Sequence, residues 1–181
     1  MAEQVRGMGF NLHLGPTLTL APDLEDAAPS VHTFGSDPRF AAEAGGLMLE
    51  AFKEAGLLAM PMGFPGGGAN RSERGPAVLT TPRPLLLTSD ALPYVEAVRR
   101  GARILHVGNT LAPTLDMESR PASMSPVVIG EILRGEMGFD GVVVAGPMDA
   151  DVIKELRRNR YDAETGTLAL TPAQAYALEQ M

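Results

Sequence analysis

The chain has 181 residues, with 15 Lys and Arg against 22 Asp and Glu for a formal net charge of −7, and 45% of its residues are hydrophobic. That hydrophobic share supports one domain with a real core, or part of a larger one, and excludes a disordered chain. The acidic balance, with no basic run longer than Arg157-Arg158, excludes an electrostatic footprint for nucleic acid, while the absence of cysteine removes disulfides, thiolate nucleophiles and thiolate metal sites.

Residues 2–8 read as the last turns of a helix feeding directly into a strand, so further sequence is expected upstream. No charged segment followed by an apolar one marks a leader, and no apolar stretch approaches the ~20 residues that span a bilayer. A soluble chain with no membrane span is expected, and its compartment stays open. The first strand is predicted at residues 11–14. A helix follows over residues 38–55, where Asp37 can cap, Pro38 fits the first helical position and Gly56 suits the stop. Its apolar positions Ala41, Ala44, Leu47, Met48, Ala51 and Phe52 recur at three- and four-residue spacing, which predicts that this face packs on a sheet.

Further strands are predicted at residues 57–60, 103–107 and 142–145. A helix over residues 89–100 ends at Gly101, and Ser125-Pro126 opens another that runs to about Glu136 and stops near Gly138. Thr171-Pro172 opens a last amphipathic stretch, residues 171–181, with Ala173, Ala175, Tyr176 and Leu178 on its apolar side; a packing helix is expected there. Strands alternating with helices predict an α/β fold built on a parallel sheet.

Four short segments carry a further signal: Gly9-Phe10-Asn11-Leu12 running to Pro16, Thr33-Phe34-Gly35-Ser36-Asp37-Pro38, Phe64-Pro65-Gly66-Gly67-Gly68, and Gly138-Phe139-Asp140-Gly141-Val142-Val143-Val144. With Asp90 to Gly101 and Met124-Ser125-Pro126 in the expected order and spacing, the stretch from Gly9 to about Val152 resembles the N-terminal domain of glycoside hydrolase family 3, as found in β-N-acetylglucosaminidases and β-glucosidases. The resemblance implies parallel βα units of a partial (β/α)8, TIM-like barrel. A complete barrel takes about 250 residues, and roughly four βα units are visible. Residues 1–160 are expected to form the partial barrel domain, and residues 161–181 an extension with the packing helix.

The resemblance also implies retaining hydrolysis, in which an Asp attacks the anomeric carbon and a second residue protonates the leaving oxygen. At the nucleophile's position, after Val144-Ala145, this chain has Gly146, followed by Pro147; Asp149 lies three residues further on. Where the acetylglucosaminidases carry the acid/base triplet ending in histidine, the chain reads Glu73-Arg74-Gly75. Met62 replaces a lysine, Gly63 and Gly67 replace histidines, His32 stands for an arginine, Thr19 for an aspartate and Asn109 for a histidine. Methionine and glycine side chains cannot donate hydrogen bonds to sugar hydroxyls. No catalytic residue is therefore assigned, and Thr19, His32, Met62, Gly63, Gly67, Glu73, Asn109, Gly146 and Asp149 are the candidates for a vestigial cleft.

Other readings stand beside this one. His13 and His106 lie on apolar strands and read as packed or hydrogen-bonded core residues rather than ligands, so no metal site and no cofactor are expected. Gly66-Gly67-Gly68 lacks the Lys-Ser/Thr of a nucleotide loop and reads as turn geometry. Glu73, Asp116 and Asp149 read as caps or solvated charges before remnant polyol ligands. Met60, Met62, Met117, Met124 and Met148 read as gap fillers, with an adaptable binding surface as the alternative. An open half barrel would expose two edges and an apolar inner face, so a protein partner or self-association is expected to complete it. The function expected is a non-catalytic family 3-like subunit of an assembly. The alternative is a glycosidase domain, of β-N-acetylhexosaminidase or β-glucosidase type, completed by missing sequence or a partner chain. A module holding carbohydrate weakly in the old cleft is third, because aromatic platforms are scarce at 5% of residues and Trp is absent.

Overall fold

A computed structural model of the chain describes residues 1–21, 33–67, 77–118, 120–148 and 153. The elements in order are α1 (Ala2–Gly7), β1 (Leu12–Thr17), α2 (Pro38–Glu54), β2 (Leu58–Phe64), α3 (Arg83–Leu86), α4 (Leu92–Arg99), β3 (Ile104–Val107), a short 3-10 turn (Ala122–Met124), a π-helix (Val127–Glu136) and β4 (Val142–Ala145). The four strands form one sheet in the order β1-β2-β3-β4, every pair parallel. The fold is α/β, as the alternation of elements predicts. The expected helix at residues 171–181 and the expected boundary at residue 160 lie outside the described residues.

Alternation along parallel strands divides the sheet into two faces. Ala59, Leu105, Val107 and Val143 belong to or pack against the core that the helices cover, together with Phe64, Tyr94, Ile132, Leu133 and Phe139. His13 joins this outer face, its ring stacked 4.3 Å from Phe52 of α2. The residues between them, Leu12, Leu14, Leu58, Ile104, Val142 and Val144, point to the other face. Here Leu14 is 63%, Leu58 42% and Val142 58% exposed.

Helix α2 starts as expected. Asp37 accepts a hydrogen bond from the Phe40 backbone N–H at 2.8 Å, and Pro38 occupies the first helical position. Its buried face differs from the apolar pattern. The buried positions are Ala41, Ala42, Gly45, Gly46, Leu49 and Phe52, whereas Leu47 and Ala51 are exposed. The two glycines bring the helix close to its neighbours: a Cβ on Gly45 would strike Leu18 Cδ2, and one on Gly46 would lie 2.5–2.8 Å from the Arg100 side chain.

Arg100 is the polar tie between α2 and the end of α4. Its guanidinium is paired with Glu43 at 2.8 Å, Glu50 at 3.0 Å and also Glu96. The hydrogen bond from Arg99 is the largest influence on the Glu96 carboxyl and, joined by that from Arg100, holds it below its ordinary 4.5, at about 2, against the opposing effect of burial. A carboxylate whose folded pKa is depressed adds stability at pH above its ordinary value and loses it as pH falls through the folded one. Urea unfolding midpoints are therefore expected to drop between pH 5 and pH 2.5, and Glu96→Gln should narrow that drop. An equal drop in the variant would show that Glu96 contributes nothing.

The other helices depart from expectation in detail. The helix expected from Ser89 begins at Leu92, because Ser89 and Asp90 are used in the preceding turn: Ser89 Oγ donates to the Leu85 carbonyl at 2.8 Å and Asp90 accepts from Thr81 Oγ1 at 2.6 Å. The helix after Ser125-Pro126 is present over Val127–Glu136, wound as a π-helix. β1 and β2 run past their expected ends at residues 14 and 60. β2 crosses Pro61, which falls beside a register shift in β1 where Leu14 and Gly15 both face Met60.

Candidate functional site at the carboxyl end of the sheet

In parallel α/β sheets, sites form where the strands end and the following loops begin. Thr19 follows β1, Met62 and Gly63 close β2 with Gly67 beyond it, Asn109 follows β3 and Gly146 follows β4. Six of the nine candidate positions therefore lie along one edge of four consecutive strands. His32, Glu73 and Asp149 lie outside the described residues, as does Gly75.

The glycines among them are not openings. Gly63 has φ of +100°, and a Cβ there would collide with Thr19 Oγ1 and sit 3.0 Å from the Tyr94 hydroxyl. Tyr94 is fully buried; its hydroxyl donates to the Met62 carbonyl at 3.0 Å and shares a 3.1 Å hydrogen bond with Thr19 Oγ1. Burial drives the Tyr94 pKa well up, so it remains a neutral phenol. The Gly63 backbone N–H donates to His106 Nδ1 at 3.3 Å, and burial lowers the pKa of that imidazole.

The same pattern recurs along the edge. Gly67 has φ of +98°, and its Cβ would lie 2.6 Å from Thr110 Cγ2, while Thr110 Oγ1 donates to the Gly66 carbonyl at 3.0 Å. Asn109 spans the ends of β3 and β4: its Nδ2 donates to the Pro147 carbonyl at 2.7 Å, and its Oδ1 accepts from Ser123 Oγ. A Cβ on Gly146 would lie 2.8 Å from Asn109 Oδ1 and 3.1 Å from Nδ2. Thr19, Thr110 and Asn109 thus occupy the space that side chains at positions 63, 67 and 146 would need.

The carboxylates near this edge are committed elsewhere. Asp90 accepts from Thr81, and from Ser89 at 3.4 Å. Asp116 is 2% exposed and takes hydrogen bonds from Arg120 Nε at 3.0 Å, Ser125 Oγ at 2.6 Å and the Glu118 backbone N–H at 3.0 Å. Burial alone would raise its pKa, but the hydrogen bonds from Arg120, Ser125 and Glu118 outweigh it and hold the carboxyl below its ordinary value. Asp116 is therefore a buried loop anchor, which is neither a solvated charge nor a free ligand. Among the described residues no group of three or more His, Asp or Glu is placed to hold a metal ion, and no helix is long and apolar enough to cross a membrane.

Tyr94, Thr110 and Ser123 were not legible as parts of this edge. Each acts through its tertiary position, and Tyr94 sits in a helix pattern that marks it only as core. The methionines divide as well. Met60 is buried and Met62 half-buried, but Met117, Met124 and Met148 are 96%, 44% and 48% exposed, so gap filling does not describe those three.

The model of the glycosyl hydrolase family 3 N-terminal domain matches residues 1–173. The chain belongs to glycosyl hydrolase family 3. A β-hexosaminidase of Xanthomonas campestris pv. campestris is 32% identical to this family 3 chain over 145 residues, 79% of the chain and 43% of the relative. Among solved structures, a family 3 β-N-acetylglucosaminidase from Paenibacillus sp. superposes with a TM-score of 0.77 at 28% identity, covering 85% of the chain and 30% of that protein. The β-N-acetylglucosaminidase of Thermotoga maritima gives 0.74 at 26% identity, over 85% of the chain and 32% of that protein. The family 3 chain therefore spans less than half the length of these relatives. The four parallel strands among the described residues, with their helices, are part of a TIM-barrel-like domain.

Proposed function

We propose that this family 3 chain has no hydrolytic chemistry of its own and serves as a structural or interaction component of an assembly. The observation that carries the reading is the filled edge of the sheet. Retaining hydrolysis needs a carboxylate that attacks the anomeric carbon and a second group that protonates the leaving oxygen. Gly146 offers no atom for attack, and Asn109, tied to Pro147 and Ser123, takes up the volume in front of it. Thr19 and Tyr94 do the same at Gly63. Each glycine is matched by a neighbouring side chain that fits only a glycine, which is the pattern of a site repacked as ordinary interior.

A second reading is favoured by the comparisons. The relatives are named as β-hexosaminidases and β-N-acetylglucosaminidases, and the chain covers less than half of each. In this reading the chain is a glycosidase domain whose acid and nucleophile come from further sequence or a partner.

Hydrolysis of aryl N-acetylglucosaminides and aryl glucosides separates the two. Background rates are expected for the purified chain. Turnover that vanishes on substitution of a single carboxylate in this chain would overturn the proposal. Gly146→Asp is expected to leave hydrolysis at background and to lower stability by about 1–3 kcal/mol, since the new side chain must displace Asn109 from its hydrogen bonds. Activity gained from that one change would show that the acid and the sugar-holding groups are intact.

A further inference from the structure

Gly63 is an extra residue in the ladder between β2 and β3. Met62 faces His106 and Phe64 faces the next residue, Val107, so Gly63 forms a bulge, with φ of +100°. The bulge turns Phe64 onto the helix-covered face, where its ring meets Tyr94 at 5.4 Å. The Gly63 carbonyl accepts from the Gly66 N–H at 2.9 Å, its Cα packs against Thr19 Oγ1 and the Tyr94 hydroxyl, and its N–H donates to His106 Nδ1 at 3.3 Å. An imidazole that accepts at Nδ1 is neutral and carries its proton on Nε2. His106 alternates with Leu105 and Val107, both in the core, so its half-buried ring stands on the opposite face of the sheet.

We infer that His106 is a pH-sensitive latch on the carboxyl edge of the sheet: its neutral ring holds the Gly63 bulge, and a proton on Nδ1 releases the bulge together with the Thr19–Tyr94 bridge packed on it. That proton would set two N–H donors against each other at 3.3 Å, so ring and bulge must part. The inference is independent of whether the chain hydrolyses glycosides. The surroundings favour the neutral ring. Among the described residues, β2 and β4 on either side carry no ionisable side chain, and the one on β1, His13, stacks on Phe52 across the sheet. The helices behind the sheet hold their charges in pairs, Glu96 with Arg99 and Arg100 on α4, and Glu131 and Glu136 of the π-helix with Arg83, while Tyr94 stays a neutral phenol. Burial lowers the His106 pKa from its ordinary 6.5, against a weaker pull from its own backbone carbonyl. A histidine depressed in this way takes up a proton on opening, so the latch holds fully above the ordinary value and is lost as pH falls through the folded one. The window expected for Glu96 lies lower.

Imidazole and amide NMR spectra of the 181-residue chain, followed from about pH 8 to about pH 5, read the latch directly. His106 Nδ1 is expected to be unprotonated at the start and to titrate with a midpoint below 6.5, and the Gly63 amide should shift with the same midpoint. Amide exchange reads the release. Protection at Gly63 and Phe64 should fall by roughly tenfold for each unit by which the measured midpoint lies below 6.5, while the interior of α2 keeps its protection. His106→Asn puts an amide oxygen in the place of Nδ1, where it can accept from Gly63 without titrating, and protection there should stay level over the same range. A midpoint at or above 6.5, a Gly63 amide that does not follow His106, or a loss shared equally by α2 would each overturn the inference. So would an equal loss in His106→Asn; should that variant not fold, the titration and exchange of the native chain decide the matter alone.

Discussion

Tyr94→Ala is expected to lower the free energy of unfolding by about 3–5 kcal/mol, read from urea denaturation followed by far-UV circular dichroism. The ring is completely buried and meets Phe64 edge-on at 5.4 Å, so its removal takes away core area on both the α4 and β2 sides. The hydroxyl adds a second part. It joins Thr19 to the Met62 carbonyl and stands over Gly63, so truncation also leaves a carbonyl and a threonine hydroxyl without their bonds. Tyr94→Phe separates the parts: it keeps the ring and should cost only about 1–2 kcal/mol, the usual penalty for orphaned buried groups. If the phenylalanine variant lost as much as the alanine variant, the polar bridge and not the ring would be the main source of stability.

Asp116→Ala is expected to cost about 3 kcal/mol, because a buried carboxylate serving three separate donors cannot be replaced by a methyl group. Its oxygens hold Arg120, Ser125 and the Glu118 backbone, and Ser125 Oγ in turn accepts from the Val128 N–H at the start of the π-helix. The substitution should thus loosen the loop between β3 and that helix before it affects the sheet. Amide exchange over residues 108–130 should accelerate more than over β2. Asp116→Asn keeps one acceptor oxygen and should retain part of the stability. Uniform acceleration across the sheet and the loop would mean that Asp116 is not a local anchor.

Much of the architecture was legible because its signals are local. Asp37-Pro38 marks a helix start wherever the helix packs, and the apolar run Val142–Ala145 marks a strand of a parallel sheet. The face of α2 was not legible. Apolar periodicity ranks Leu47 and Ala51 above glycine, whereas Gly45 and Gly46 face inward because only hydrogen fits beside Leu18 and Arg100. Short α3 was hidden for a related reason: Pro82-Arg83-Pro84 reads as a break, yet proline is compatible with the first turn of a helix. At the candidate site, the losses at Gly63, Gly67 and Gly146 could be read residue by residue. Their compensation by Thr19, Thr110 and Asn109 could not, since it depends on contacts between positions far apart in the chain, Thr19 with Gly63, Thr110 with Gly67 and Asn109 with Gly146.

Among the described residues the strands lie in space in the order in which they occur along the chain, and no later strand is inserted between two earlier ones. Each βα unit is therefore laid down beside the one before it, like a stave added to a row. A fold with this connectivity can lose or gain a unit at either end without rethreading the rest, because no interior hydrogen-bond ladder is cut.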